Sequence, residues 1–386
     1  MVLSASTVAF KYRIPFNRPT RTANDAAYVQ EALASGHLSG DGSFTRRCHR
    51  ILEEAVGSPR ALLTTSCTHA LEMAAFLLDV GPGDEVIVPS FTFTSTANAF
   101  AVRGARPVFA DITPDTLCID PGHLERLITP RTRAVVVVHY AGVACDMDVI
   151  NDLAAKHGVS VVEDNAHGLF GSYHGRQLGT FGRLATLSFH ETKNLTCGEG
   201  GALLINDPSL AERAEIVREK GTDRSRFFRG EVDKYGWVDF GSSYLPSELV
   251  AAVLCAQLEE YRRIQERRRQ LWVRYYEALG HWASMRGVTL PTVPPSSGQA
   301  YHMFYMLMPT TAERRELLLH LKARSMLAVS HYVPLHLSLV GRGFGGRPGD
   351  CPVSERVADQ LVRLPFFTDM TDEEQGEVID ALQALP

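Results

Sequence analysis

From Arg60 to about Asn206 the chain alternates short apolar runs with stretches whose apolar residues recur at helical spacing. The runs are Ala61–Thr64, Glu85–Val88, Pro107–Ala110, Ala134–Val138, Ser160–Val162, Leu184–Phe189 and Ala202–Ile205. Apolar runs without polar alternation fit strands buried on both faces, and their alternation with helical segments predicts βαβ units around a mostly parallel sheet. Asp148–His157, closed by Gly158, predicts one of the intervening helices, ended by a glycine cap. Such sheets bind ligands at the carboxyl ends of their strands, so polar residues there carry the functional reading.

Beyond Pro246 the pattern changes. A long periodic segment to about Leu279 predicts one or two helices, with Arg262–Arg269 as their solvated face. A strand over Ala300–Leu307, a helix over Ala312–Ala323, a strand near Met326–Tyr332, a surface loop at Gly341–Pro352 and two closing helices follow. The expected division is a large domain over residues 1–250 and a smaller α/β domain over 251–386, with the first dozen residues a loose extension.

Composition narrows the classes. The 386 residues are 45% hydrophobic, enough for a large core, and a net charge of -5 argues against a general nucleic-acid or membrane surface. Seven cysteines without C-x-x-C or His/Cys ligand spacing predict a reducing, cytoplasmic setting and no structural metal. No apolar stretch approaches the roughly 20 residues that span a bilayer.

Only six of the 39 basic residues are lysines, and Lys193 alone follows an apolar strand, in Ser188-Phe-His-Glu-Thr-Lys-Asn194. A lysine amine whose pKa is lowered by burial is a nucleophile suited to a Schiff base with a carbonyl cofactor; an exposed loop lysine is the alternative. In Ser160-Val-Val-Glu-Asp-Asn-Ala-His167, Asp164 ends a strand, where a carboxylate can keep the pyridine nitrogen of pyridoxal phosphate protonated or simply cap a helix. Thr64-Thr-Ser-Cys-Thr-His-Ala passes from strand to helix through small hydroxyl residues, offering N–H groups to a phosphate or ordinary N-capping by Ser66 or Thr68. Neither the G-x-G-x-x-G of a dinucleotide-binding fold nor the G-x-x-x-x-G-K-[ST] of a P-loop occurs.

Phosphate turn, strand-end Asp and strand-end Lys, in that order, resemble the pyridoxal-phosphate-dependent nucleotide-sugar aminotransferases of the aspartate-aminotransferase-like fold. The resemblance runs over nearly the whole chain, through SGDGSFTRR (Ser39–Arg47), PSFTFTSTANAF (Pro89–Phe100), HYAGVACDMD (His139–Asp148), FHETKN, the long stretch Arg218–Leu249 and HYVPLH (His331–His336). It is nearest to the branch acting on carbon 4 of dTDP-4-dehydro-6-deoxy-D-glucose with L-glutamate as amino donor.

That resemblance implies Lys193 as the Schiff-base lysine and general acid/base, and Asp164 as partner of the pyridine nitrogen. It places Cys67, Thr68 and Ser188 at the cofactor phosphate, Phe93 on its ring and His167 near its phenolic oxygen. Ser243 reaches the phosphate from a neighbouring subunit, which implies a homodimer with shared active sites. Arg224, Arg226 and above all Arg229 are candidates for the nucleotide diphosphate, and His331 and Tyr332 for the sugar. The chain departs from the family at Cys67, where glycine is usual; at His167, where glutamine is usual and protonation would alter the pH profile; and at Ser243 and Leu245, which stand for Asn and Arg. A related dehydratase carries histidine in place of the lysine, so Lys193 favours amination. A 3-aminotransferase, a silent cofactor-binding homologue and a nicotinamide oxidoreductase are the other readings.

Overall fold

The computed structural model describes residues 12–385; the extension expected over the first dozen residues lies almost wholly outside them. Seven strands form one sheet: β1 (Arg60–Thr64), β2 (Glu85–Pro89), β3 (Arg106–Ala110), β4 (Thr132–Val138), β5 (Ser160–Asp164), β6 (Leu184–Ser188) and β7 (Gly201–Ile205). They lie in the order β1-β7-β6-β5-β4-β2-β3. β7 runs antiparallel to β1 and β6, while the other pairings are parallel. The α/β architecture expected from the apolar runs is therefore present, with helices on both faces.

Successive strand residues point to opposite faces, and the two cores follow that alternation. Val86, Val88 and Val136 pack on the Cys67–Leu77 and Ser95–Ala101 helices, whereas Ile87, Val135 and Val137 pack on the Met147–His157 helix. The last is capped by Asp146, whose carboxylate accepts the Val149 amide, and ends at Gly158 with φ of 66°. A further core joins the Ser43–Val56 and Glu248–Glu259 helices to β1 and β6 through Leu52, Leu63, Leu187 and Leu258. Leu271, Tyr275, Phe304, Leu317 and Val378 form a separate cluster towards the carboxyl end, to which Ile14 also belongs.

Four expectations for this carboxyl-terminal region are corrected. Only Tyr305–Leu307 of the Ala300–Leu307 run is a strand, paired with Leu361–Arg363. Upstream, Tyr301 sits at φ of 51° and the carbonyls that would extend the ladder are taken by side chains. Ala300 accepts from Asn194 and Gln265, and Tyr301 and His302 accept from Arg268. Arg268, 2% exposed, thus points inward from the helix Tyr261–Arg286, so the arginine run is not wholly a solvated face. Met326–Tyr332 makes isolated bridges to two different partners, Ile14 and Arg363, and no ladder grows from either. Gly341–Pro352 holds the end of a short helix, Leu339–Gly343, and the buried Cys351.

Sheet register gathers the functional ends. Gly201 opens β7 opposite both Thr64, the last residue of β1, and Ser188, the last residue of β6. A Cβ at Gly201 would lie against the Cys67 amide and 2.5 Å from the Ser66 carbonyl oxygen. Only glycine lets the turn after β1 come this close. Among the described residues no helix is long and apolar enough to cross a membrane. Gly201→Ala is expected to cost about 1–3 kcal/mol through overpacking, measured as a lower midpoint of urea unfolding; an unchanged midpoint would contradict the close approach.

Candidate active site

β5, β6 and the turn after β1 deliver three kinds of group to one end of the sheet. The turn ends in Ser66, whose Oγ caps the Cys67–Leu77 helix by accepting the His69 amide at 3.1 Å. Cys67 and Thr68 occupy the first helical positions, where N–H groups have no intrahelical acceptor and the helix dipole is positive. The Cys67 thiol donates to Thr186 Oγ1, 3.5 Å distant on β6, and burial pushes its pKa up. Thr68 Oγ1 bonds Ser95 Oγ at 2.7 Å, tying the turn to the start of the Ser95–Ala101 helix.

Asp164 closes β5 beside Thr186 and is 5% exposed. Its Oδ2 accepts from Thr96 Oγ1 at 2.7 Å and its Oδ1 from the Ala166 amide at 3.2 Å. Burial raises its pKa, while those two donors and the Lys193 charge draw it back. Its neighbour Glu163 faces the other way and is consumed by structure. It accepts the Gly179, Phe181 and Gly182 amides, and His139 Nε2–H at 2.9 Å. The alternation of β5 separates the site carboxylate from the structural one.

Lys193 lies in the loop leaving β6, and burial lowers its pKa to about 8 against the pull of Cys67 and Asp164. The loop is pinned by Asn194, which donates to Gln265 Oε1 and the Ala300 carbonyl and accepts from His302 Nδ1 at 3.0 Å. His167 stacks on His302 with ring centroids 4.3 Å apart and accepts the Ala141 amide at Nδ1, which leaves the proton on Nε2. Burial holds the His167 pKa far below the ordinary imidazole value, with Lys193 and His331 adding to the effect. The titration expected from histidine at this position is therefore absent, although the Nε2–H donor remains.

His331 is half-buried. Arg363 Nη1 donates to its Nε2 at 2.8 Å, so its Nδ1–H donates to the Tyr140 hydroxyl at 3.0 Å. Tyr332 stacks on His331 at 3.6 Å and lies 6.3 Å from Phe93, which is 59% exposed. Ser243 and Arg229 fall elsewhere. Both line a cavity of about 980 Å³ on the face carrying Arg46, Arg60 and Arg218, and Lys193 and Asp164 do not line it. There Arg229 donates to Glu231 at 2.6 Å and Glu215 at 2.7 Å, Arg224 pairs with Glu219, and Arg226 pairs with Glu231 and Glu212.

The structure thus brings Lys193, Asp164, Cys67, Thr68 and Ser188 together, with His167, His331, Tyr332 and Phe93 alongside, whereas Ser243 and Arg229 line the other cavity. Thr96, Asn194, His302 and Arg363 belong to the same constellation and were missed from the sequence. Thr96 stands within PSFTFTSTANAF, where a polar residue one helical turn from Thr92 was the available signal.

These residues suit pyridoxal phosphate: an amine of lowered pKa for its carbonyl, a buried acid for its ring nitrogen, and a helix amino end for its phosphate. Fold and site define a pyridoxal-phosphate-dependent aminotransferase of the fold-type I class. The family described as "DegT/DnrJ/EryC1/StrS aminotransferase family" matches residues 19–383. The chain is 33% identical to the spore coat polysaccharide biosynthesis protein SpsC of Bacillus subtilis, over 96% of both proteins. Among solved structures, DesV of S. venezuelae superposes with a TM-score of 0.85 at 34% identity, covering 94% of each chain. The putative sugar aminotransferase Spr1654 of Streptococcus pneumoniae, solved in PLP and PMP forms, gives 0.90 at 26% identity, covering 97% of this chain and 98% of its own. The chain belongs to the DegT/DnrJ/EryC1/StrS family of sugar aminotransferases.

A lowered Lys193 pKa makes the uncharged amine available near neutrality. In the cofactor-free protein, acylation of Lys193 followed by peptide mass analysis is expected to rise with pH through a midpoint of about 8. A midpoint at 10.5, the ordinary lysine value, would contradict the desolvated setting.

Proposed function

We propose that this enzyme transfers the amino group of L-glutamate to carbon 4 of dTDP-4-dehydro-6-deoxy-D-glucose, giving a dTDP-4-amino-4,6-dideoxyhexose, in two half-reactions. The observation that carries the chemistry is the convergence of Lys193, Asp164 and the amino end of the Cys67–Leu77 helix at one sheet end. The choice of sugar and donor is supported by the long resemblances in Arg218–Leu249 and His331–His336, together with membership of the sugar aminotransferase family. Pyridoxal phosphate, when bound, supplies an electron sink and carries the amino group between the two substrates.

In this reading the Cys67 and Thr68 amides and the Ser188 hydroxyl would hold the phosphate, with Phe93 at the ring and the His167 Nε2–H available to the phenolic oxygen. Asp164 keeps the ring nitrogen protonated; Thr96 and Ala166 orient its carboxylate for that role. Lys193 would move a proton at its Nζ in one direction with glutamate and in the other with the sugar. A pKa of about 8 lets that amine act in both directions near neutral pH.

Ser243 and Arg229 share a cavity that Lys193 and Asp164 do not line, and a homodimer in which each subunit completes its partner's site would account for that arrangement. The nucleotide diphosphate then meets Arg229 after displacing its carboxylate partners, and His331 and Tyr332 face the sugar. The reaction belongs in the cytoplasm, where nucleotide-linked sugars are made.

The test is to incubate the holoenzyme with L-glutamate and dTDP-4-dehydro-6-deoxy-D-glucose and to analyse the product by mass spectrometry and NMR. An amine at carbon 4 is expected; an amine at carbon 3, or no product, would contradict the proposal. Asp164→Asn should lower kcat about 100- to 1000-fold, the scale of losing one key electrostatic partner, with the cofactor still bound.

A further inference from the structure

The motif His331-Tyr-Val-Pro-Leu-His336 holds two histidines, and only the first has a place in the active site. His336 is 0% exposed, and an imidazole buried this fully needs a partner for each ring nitrogen. Both partners are present. Nε2–H donates to Glu355 Oε1 at 3.0 Å, which leaves Nδ1 to accept the Ser90 hydroxyl at 2.6 Å. Ser90 Oγ in turn accepts the His336 amide at 3.3 Å, and the Ser90 carbonyl accepts the Leu335 amide at 2.8 Å. Serine, histidine and acid can form a nucleophilic triad, but Ser90 is 0% exposed and its hydroxyl meets no substrate. The three side chains are instead a buried link between segments distant in the chain.

What the link joins gives it a purpose. Ser90 directly follows β2 and opens the segment that carries Phe93 and Thr96; its own amide donates to the Ala110 carbonyl at 2.8 Å, so it is fixed to the sheet. Glu355 belongs to the Pro352–Gln360 helix, and its Oε1 also accepts the Gly349 amide at 2.7 Å. His331 is held separately, by Arg363 and Tyr140. The motif is therefore a strap fastened at each end by a histidine, with Tyr332 and the 72% exposed Val333 between the fastenings. Pro334 locks its own φ, at -56°, so a displacement at His336 reaches Tyr332 through few soft dihedrals. Tyr332 meets the segment after β2 through ring contacts, with centroids 5.6 Å from Phe91 and 6.3 Å from Phe93. Apolar contact is non-directional, whereas the hydrogen bonds of His336 fix both distance and angle.

We propose that His336 is a positioning residue: joined to Ser90 and Glu355, it fixes the strap so that Tyr332 stands opposite Phe93 as a wall of the sugar subsite. His336 acts through Tyr332 and touches no substrate itself. Loss of the link frees the strap at one end, while His331 keeps its own anchors at the other. The effect therefore falls on the keto-sugar and spares the half-reaction with the amino donor. The inference rests on the reading that Tyr332 faces the sugar; the fastening of the strap does not depend on which sugar that is.

The experiment compares wild-type, His336→Asn, Ser90→Ala, Tyr332→Ala and Ser90→Ala/Tyr332→Ala holoenzymes, each first shown to carry cofactor by its visible absorption. Ser90→Ala removes one hydroxyl and is the mild variant. Hydrogen exchange is followed by mass spectrometry on the peptide holding residues 331–336. The half-reactions with L-glutamate and with dTDP-4-dehydro-6-deoxy-D-glucose are measured separately. In His336→Asn and Ser90→Ala the strap amides are expected to exchange about 10-fold faster and the KM for the keto-sugar to rise about 10-fold, the scale of one lost buried hydrogen bond. The rate with L-glutamate stays at the wild-type value. Because the link acts through Tyr332, Ser90→Ala adds no further rise once Tyr332 is alanine. Unchanged exchange in both variants would overturn the proposal, as would an unchanged keto-sugar KM. So would a Ser90→Ala effect that persists in full on top of Tyr332→Ala, the mark of a general loss of packing. A wild type that aminates no keto-sugar contradicts the proposed function instead; faster exchange in the two variants then still supports the fastening, and unchanged exchange refutes it.

Discussion

The site exists because two chain segments are allowed to approach more closely than any side chain would permit. At Gly201, β7 passes between the end of β1 and the end of β6, with its Cα hydrogen where a Cβ would meet the Ser66 and Cys67 backbone. That contact sets the amino end of the Cys67–Leu77 helix beside the loop bearing Lys193. Asp164 then follows from register, since it lies beside Thr186, and Thr186 also receives the Cys67 thiol. One antiparallel strand in an otherwise parallel sheet thus joins the anion-binding end of a helix, a lysine and an acid.

Burial determines what each of these groups does. Desolvation lowers Lys193, raises Asp164, and keeps His167, His302 and His331 neutral. The imidazoles therefore serve as fixed donors and acceptors whose tautomers are set by their neighbours: the Ala141 amide for His167, Asn194 for His302 and Arg363 for His331. The charges that respond to chemistry are few, and the permanent ones are two arginines. Arg268 is spent on holding the Ala300–His302 backbone away from a strand conformation. Arg363 is left with a buried Nε that has no partner among the described residues.

Much of this was legible in the sequence, and for a common reason. The apolar runs that became β1 to β7 are buried on both faces, so their hydrophobicity carries the signal without help from the rest of the chain. Lys193 and Asp164, each with an ordinary alternative when taken alone, were legible because they follow the phosphate turn in one order along the strand ends. What escaped depends on distant partners. Arg268 sits among exposed arginines and differs from them only by the carbonyls it meets across the fold. Arg363 is hidden inside an apolar segment, Leu361-Val-Arg-Leu-Pro-Phe-Phe367, whose role becomes visible once His331 lies against it. Met326–Tyr332 has a strand-like composition but meets two separate partners, a matter of tertiary placement that local pattern does not encode. Arg229 was read as a candidate for the nucleotide diphosphate, and the carboxylates Glu215 and Glu231 that the fold sets against it were not legible.

The central claim is that a single lysine, desolvated at the end of β6, holds the cofactor. Borohydride reduction of the holoenzyme, which fixes an imine-linked cofactor irreversibly to its amine, followed by peptide mapping of all six lysines, tests this directly. The account predicts the pyridoxyl label on the peptide containing Lys193 and on no other. A label on another lysine, or cofactor lost from the protein after reduction, would contradict it.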